Sequence, residues 1–157
     1  MIDFLERLGA RVDMKNFPLH VEVRIDEKSR MVPIEVNPMR FGGWCTTADN
    51  AGFAYGLNTY EYFLEGKKPD WDSILAQDNP NLYSLIVLNN STGIPGKDIK
   101  SFDYERLLQN FNNPLELRRT DCAKFPLFGF IFTETAPENA AELDRILRDD
   151  LRAYCNF

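Results

Sequence analysis

Apolar and polar positions alternate most regularly between residues 20 and 37. HVEVRID (20–26) and MVPIEVN (31–37) change character at almost every residue, and four polar residues, Glu27, Lys28, Ser29 and Arg30, lie between them. A period of two broken by a short polar run predicts an antiparallel hairpin. Upstream the period is helical: Ile2, Leu5 and Leu8 of IDFLERL share one face, with Gly9 as the expected stop. Downstream, PMRFGGW (38–44) reads as a loop, and Thr46 or Thr47 can cap a helix running to about Tyr55. A second short helix is expected from Asn58 to Leu64, stopped at Gly66. Lys67, Lys68 and Pro69 form a polar joint, and Asp70 to Ala76 adds another helical turn or two. The turn QDNPN (77–81) places the expected boundary between a first lobe, 1–78, and a second, 79–157.

The second lobe opens with LYSLIVL (82–88), an apolar run without alternation and so expected to be a strand buried on both sides. After a loop, Asp103 caps a helix that turns Tyr104, Leu107, Leu108 and Phe111 inward. LELRRTD (115–121) and LFGFIFTET (127–135) read as two more strands. Thr135 and Glu138 have capping-box spacing with Pro137 in the first turn, and Leu143, Ile146, Leu147, Leu151 and Tyr154 make one stripe on a final helix. The expected class is α+β: an antiparallel hairpin with flanking helices, followed by a small C-terminal lobe that also mixes helices and strands.

Composition narrows the function. Of 157 residues, 44% are hydrophobic and 27% charged, the mix of a folded globular chain. A net charge of −6 argues against nonspecific binding to nucleic acid or to an anionic membrane. No apolar run approaches the ~18 residues of a membrane span, and the acidic, amphipathic N-terminus is not a secretory signal. Cys45, Cys122 and Cys155 form no CxxC pattern and read as reduced thiols, so a cytoplasmic location is expected. His20 is the single histidine, which excludes zinc sites built on several histidines.

Pairing the hairpin across its polar run sets Asp26 opposite Met31, Arg24 opposite Pro33, Glu22 opposite Glu35, and His20 opposite Asn37. The other face carries Val21, Val23 and Ile25 against Val32, Ile34 and Val36, and is expected to be core. Cross-strand Cβ atoms lie about 4.5–5.5 Å apart. At an effective dielectric near 20, two carboxylates so placed repel by roughly 3 kcal/mol. A shared proton, a nearby cation such as Arg24, or a bridging metal would offset this. With Asn37 on the same face, the two carboxylates and an amide oxygen form a hard oxygen cluster suited to Mg2+ or Mn2+. Pro38 then breaks the strand, Arg40 offers a guanidinium, and Gly42–Gly43 lets backbone approach a ligand closely.

The run P-I-E-V-N-P-M-R-F-G-G (33–43) resembles the glutamate–x–asparagine strand of ATP-grasp enzymes. The resemblance covers roughly residues 18–45. It implies that Glu22, Glu35 and Asn37 are metal ligands holding Mg2+ on the phosphates of ATP. It also implies that Arg40, in a catalytic role, and Gly42–Gly43 touch the phosphoryl group or the acyl substrate. Many members carry Arg directly after Asn-Pro; here Met39 takes that place and Arg40 follows one residue later. The implied activity is a carboxylate–amine or carboxylate–thiol ligase working through an acyl phosphate, with ATP and a small carboxylic acid as ligands. The family also has an N-terminal ATP-binding half, for which the residues before 20 leave no room. The chain is therefore expected to be a C-terminal piece, inactive alone, that pairs with such a lobe or with a second copy.

A noncatalytic interaction module with a solvated acidic hairpin is the competing expectation. The remaining motifs read as structural. His20 is expected to be a packing residue and Asp26 a solvated one. FAYGLNTYEYF (53–63) is expected to be helical core, Lys67–Lys68 a solvated joint, and STGIPGK (91–97) a turn without P-loop spacing. Arg118 and Arg119 alternate faces on a strand, so at most one can face any cleft.

Overall fold

The computed structural model describes residues 1–157. The chain forms two compact units, Met1–Trp71 and Asp72–Phe157. All strand pairs are antiparallel, as an α+β chain requires. No helix is long and apolar enough to cross a membrane.

In the first unit, α1 spans Ile2–Val12, β1 Leu19–Ile25 and β2 Met31–Pro38; α2 (Thr46–Tyr55) and α3 (Thr59–Leu64) follow, and a short α4 (Trp71–Leu75) begins at the unit's last residue. Helix α1 runs through Gly9, the expected stop. An interior glycine costs only about 1 kcal/mol, and the helix ends where Asp13 takes a left-handed conformation and its N–H returns to the Gly9 carbonyl. Asn58 caps α3 as its side chain accepts from the Glu61 N–H at 3.2 Å.

The hairpin register matches expectation in its inner half and departs from it in its outer half. His20 pairs with Asn37 and Glu22 with Glu35, but the register then shifts, so Val23 meets Pro33, Arg24 meets Val32 and Ile25 meets Met31. Ile34 is the extra residue of a bulge. Pro33, which has no N–H to give a ladder, sits beside it, as proline does when a strand contains one. The turn explains the odd count. Asp26 does not pair with Met31 and is not merely solvated. Its Oδ1 accepts the N–H groups of Lys28 and Arg30, both at 2.9 Å, and its Oδ2 accepts from Arg30 Nε at 2.6 Å. Those bonds from Arg30, backbone first and side chain second, hold the Asp26 carboxyl below the usual carboxylate range.

The β-branched set expected to form one core face is corrected: the shift puts Val32 opposite Arg24, on the other side from Val23 and Ile25. Nor is the outer half covered within this chain: Ile25 and Ile34 are each 61% exposed, and Val23, Met31 and Val32 are also exposed. Alternation does not reveal the bulge that splits the face, nor does it supply a layer that covers it.

In the second unit, β3 (Leu82–Asn89) and β5 (Pro114–Arg119) flank β6 (Leu127–Thr135), and a small pair joins β4 (Ser101–Phe102) to β7 (Cys155–Asn156). The expectation that LYSLIVL is buried on both sides is corrected. β3 is an edge strand with Leu82 and Val87 exposed, and the doubly buried strand is β6, the central one. Leu88, Phe102, Phe128, Ile131, Leu151, Tyr154 and neighbours form the core with Leu107 and Phe111. Leu107 lies in α5 (Tyr104–Leu108), capped by Asp103, whose Oδ1 accepts from the Arg106 N–H. The C-terminal stripe is also corrected. Helix α6 covers only Ala141–Arg148, Asp149 is extended, and Leu147 points to solvent. The Thr135 hydroxyl does not cap a helix; it donates to Glu142 Oε1 at 2.6 Å. Leu151 and Tyr154 return to the core on a separate 3-10 turn, Leu151–Tyr154.

Candidate metal and phosphate site at the hairpin base

Four of the candidate residues meet where β1, β2 and the following loop converge. Directly opposed residues of an antiparallel pair point to the same face, so Glu22 and Glu35 share a side, and His20 and Asn37, two pairs away, share that side too. Glu22 is about half exposed, its side chain at 49%. No arginine or lysine neutralises the pair. Arg24, the expected ion-pair partner, stands opposite Val32 and bonds to neither glutamate. The one charged-type contact is from His20: its Nε2 lies 3.4 Å from Glu22 Oε1. The Asn37 amide nitrogen is buried and has no hydrogen-bond partner. A buried amide group left unpaired costs about 1–3 kcal/mol, and because this one is an N–H donor the partner it lacks is an acceptor such as a phosphate or water oxygen.

The loop after β2 has unusual backbone. Met39, Gly42, Gly43, Trp44 and Cys45 all have positive φ. Gly42, at φ +85°, is buried, and a Cβ there would lie 2.0 Å from His20 Nδ1. Only glycine permits this contact. Two devices hold the loop in place. Phe41 packs on Tyr60 and Phe63, with ring centroids 4.7 and 5.8 Å away, and the Tyr60 hydroxyl donates to the Cys45 carbonyl at 3.0 Å. The Thr46 hydroxyl bonds the Gly43 carbonyl. Of the tethering residues, the sequence pattern assigns Phe41 to a loop, Tyr60 and Phe63 to helical core, and Thr46 to a cap. Arg40 is exposed on the loop, where it makes no ion pair, and Gly43 is exposed beside it.

No three of the His, Cys, Asp and Glu side chains converge as a metal-binding group anywhere in the chain. At the hairpin the acidic donors number two and the third candidate is an amide. Two opposed carboxylates with no lysine or arginine bonded to either fit a hard divalent cation that keeps water and phosphate oxygens as its other ligands, with Asn37 able to add only its amide oxygen.

Other candidates are absorbed into structure. Arg118 grips Glu116 through Nε at 2.7 Å and Nη2 at 3.0 Å and covers the Phe132 ring, while Arg119 lies over Tyr104 on the opposite face. In STGIPGK, the Asn90 side chain accepts from the Thr92 hydroxyl at 2.6 Å and donates to the Ile94 carbonyl at 2.9 Å, closing the loop on itself. A groove of about 310 Å3 beside β3 is lined by Leu85, Val87, Ile146 and Leu147. Its one ionisable group, Asp149, already accepts from the Tyr154 hydroxyl at 2.6 Å.

Residues 1–48 match the family model of the ATP-grasp domain, a span that holds α1, the whole hairpin and the diglycine loop. No curated protein and no solved structure matches the chain. The segment that carries the opposed glutamates is thus similar to the ATP-grasp domain, and the match ends at residue 48.

Proposed function

We propose that this chain is the C-terminal, metal- and phosphate-binding part of an ATP-dependent carboxylate–amine or carboxylate–thiol ligase. Glu22, Glu35 and Asn37 would hold Mg2+ or Mn2+, which when bound neutralises charge on the phosphate oxygens of ATP. The chain's own contribution is positioning. The hairpin presents two carboxylates at fixed separation, and the tethered loop brings the Gly42–Gly43 backbone and Arg40 to the same end. In such a reaction ATP phosphorylates an acid, and an amine or thiol then displaces phosphate from the acyl phosphate. The observation that carries this reading is the Glu22–Glu35 register with no lysine or arginine bonded to either carboxylate. The exposed apolar residues of the outer hairpin, among them Ile25 and Ile34, support a further part of the proposal: the working sheet is wider than two strands and includes an ATP-binding half.

Titration calorimetry with Mn2+ and a nonhydrolysable ATP analogue tests it. The chain is expected to bind the pair, with Glu35→Gln weakening binding at least tenfold, and to show little ligase turnover alone. Equal binding by the two proteins overturns the assignment.

A further inference from the structure

We propose that His20 is a positioning residue that couples the diglycine loop to the Glu22 carboxylate, so that the phosphate-facing backbone and the metal-facing oxygen are set by one imidazole. The inference rests on the ligase reading for its purpose, but not for its geometry.

Three segments meet at this ring. Along β1, His20 lies two residues before Glu22 and therefore on the same face. Across the ladder it is paired with Asn37. From the loop, Gly42 lies so close to the ring that an added Cβ would be 2.0 Å from Nδ1, 2.5 Å from Cγ and 2.6 Å from Cε1. The two nitrogens thus have different neighbours: the Nδ1 side of the ring rests on the Gly42 backbone, and Nε2 is 3.4 Å from Glu22 Oε1. The imidazole is 21% exposed, so it is enclosed by these neighbours, whereas the Glu22 side chain beyond it is 49% exposed. A half-exposed glutamate has rotamer freedom to lose before it can serve as a ligand. A ring clamped from behind by backbone and touching the carboxylate in front restricts that freedom in advance. With Asn37 as its cross-strand partner, His20 has as neighbours two proposed metal ligands and one glycine of the proposed phosphate-facing loop. A histidine serving only to pack would need none of them.

The same contact explains a local expense. Gly42 and its neighbours occupy left-handed backbone, and residues in that region other than glycine cost roughly 1–2 kcal/mol each. Trp44 and Cys45 accept this conformation directly after the diglycine. The loop is thereby turned back onto β1, where Gly42 reaches the ring.

The test compares the full chain with His20→Ala, His20→Gln, Gly42→Ala and the double variant His20→Ala/Gly42→Ala. The first readout needs no metal. Side-chain carbon shifts and three-bond couplings report whether Glu22 holds one rotamer, with the cross-strand NOEs of Val21 and Val36 confirming that the hairpin is formed. The wild type is expected to hold one dominant Glu22 rotamer. His20→Ala and Gly42→Ala are each expected to average it while leaving Glu35 unchanged, and the double variant to be no worse than either. Gln, which keeps an amide donor at the reach of Nε2, is expected to restore most of the preference and covers the case in which the alanine variant fails to fold.

The second readout is Mn2+ affinity measured by electron paramagnetic resonance. Loss of a residue that orients a metal ligand typically weakens binding about 10–100-fold, so about tenfold is expected for His20→Ala and for Gly42→Ala, and less than threefold for His20→Gln. If Glu22 averages freely in the wild type, or if the two single effects add, the coupling proposal is wrong. If Glu22 is ordered as expected but Mn2+ does not bind, the proposed function fails and the coupling stands.

Discussion

Replacing Glu35 by Gln separates a charge pair kept for a ligand from one that is merely tolerated, because the two cases give opposite signs with and without metal. Carboxylates about 5 Å apart repel by roughly 3 kcal/mol at an effective dielectric of 20 and by about 0.8 kcal/mol at that of water. Glu22 is half exposed, which puts the pair near the lower end, at about 1 kcal/mol. Glu35→Gln should therefore stabilise the metal-free hairpin by about that amount, a roughly fivefold rise in amide protection across β1 and β2. A divalent ion at 100 times its dissociation constant stabilises the site that binds it by about 2.7 kcal/mol. If the variant loses affinity a hundredfold, the same ion concentration contributes only about 0.4 kcal/mol to it. The order then inverts: the variant is more protected without Mn2+ and less protected with it. Hydrogen exchange followed amide by amide reads the hairpin separately from the rest of the chain. A variant less protected in the absence of metal would mean that Glu35 is held by favourable contacts. A variant stabilised by Mn2+ as much as the wild type would mean that Glu35 is no ligand. Either result removes the physical basis of the site.

Two further outcomes concern the second unit and the thiols. Glu142 is buried and accepts from the Thr135 hydroxyl at 2.6 Å, the Asn112 N–H at 3.0 Å and the Asn112 side chain at 2.7 Å, so Glu142→Ala leaves three donors unpaired and should cost about 3–5 kcal/mol in β6 amide exchange. Burial pushes this carboxyl up, but the bonds from Thr135 and Asn112 and the charge of Arg145 outweigh it and leave its pKa lowered. Its contribution is therefore complete above the ordinary glutamate range and is lost as pH falls through the lowered folded value, so the gap between wild type and Glu142→Gln should close in acid. Among the cysteines, Cys45 is exposed while Cys122 and Cys155 are half-buried, and burial first, then Cys122 and Asp150, pushes the Cys155 thiol up. Mass spectrometry after brief alkylation near pH 8 should find Cys45 modified first and Cys155 late; early modification of Cys155 would contradict its burial.

The inner hairpin was legible in the sequence because alternation is a property of the strand itself. Whatever covers the hairpin, a period of two puts Glu22, His20, Glu35 and Asn37 on one side once the pairing is fixed. The outer half was not legible, because its register depends on how Asp26 uses its side chain. Bonding both Lys28 and Arg30, it shortens the ladder and leaves Ile34 over as a bulge. The same limit appears in the second unit. LYSLIVL and LFGFIFTET are both apolar runs, and only pairing distant in sequence decides that β6 is central and β3 an edge. It appears again at Asp149, where the apolar stripe continues in sequence but the helix does not. His20 shows what such limits conceal. Its neighbour on β1 could be inferred from spacing and its partner on β2 from register, but the contact with Gly42 exists only because a left-handed loop, held by Phe41, Tyr60 and Thr46, folds back onto the strand. Read locally, a lone strand histidine is filler; with the loop returned onto it, it is the point through which a change in the diglycine backbone reaches a carboxylate. The diglycine motif thus has a use besides the close approach to phosphate proposed for it. Its first glycine is required by the ring behind it, so replacing Gly42 should disturb Glu22 even where no nucleotide is present.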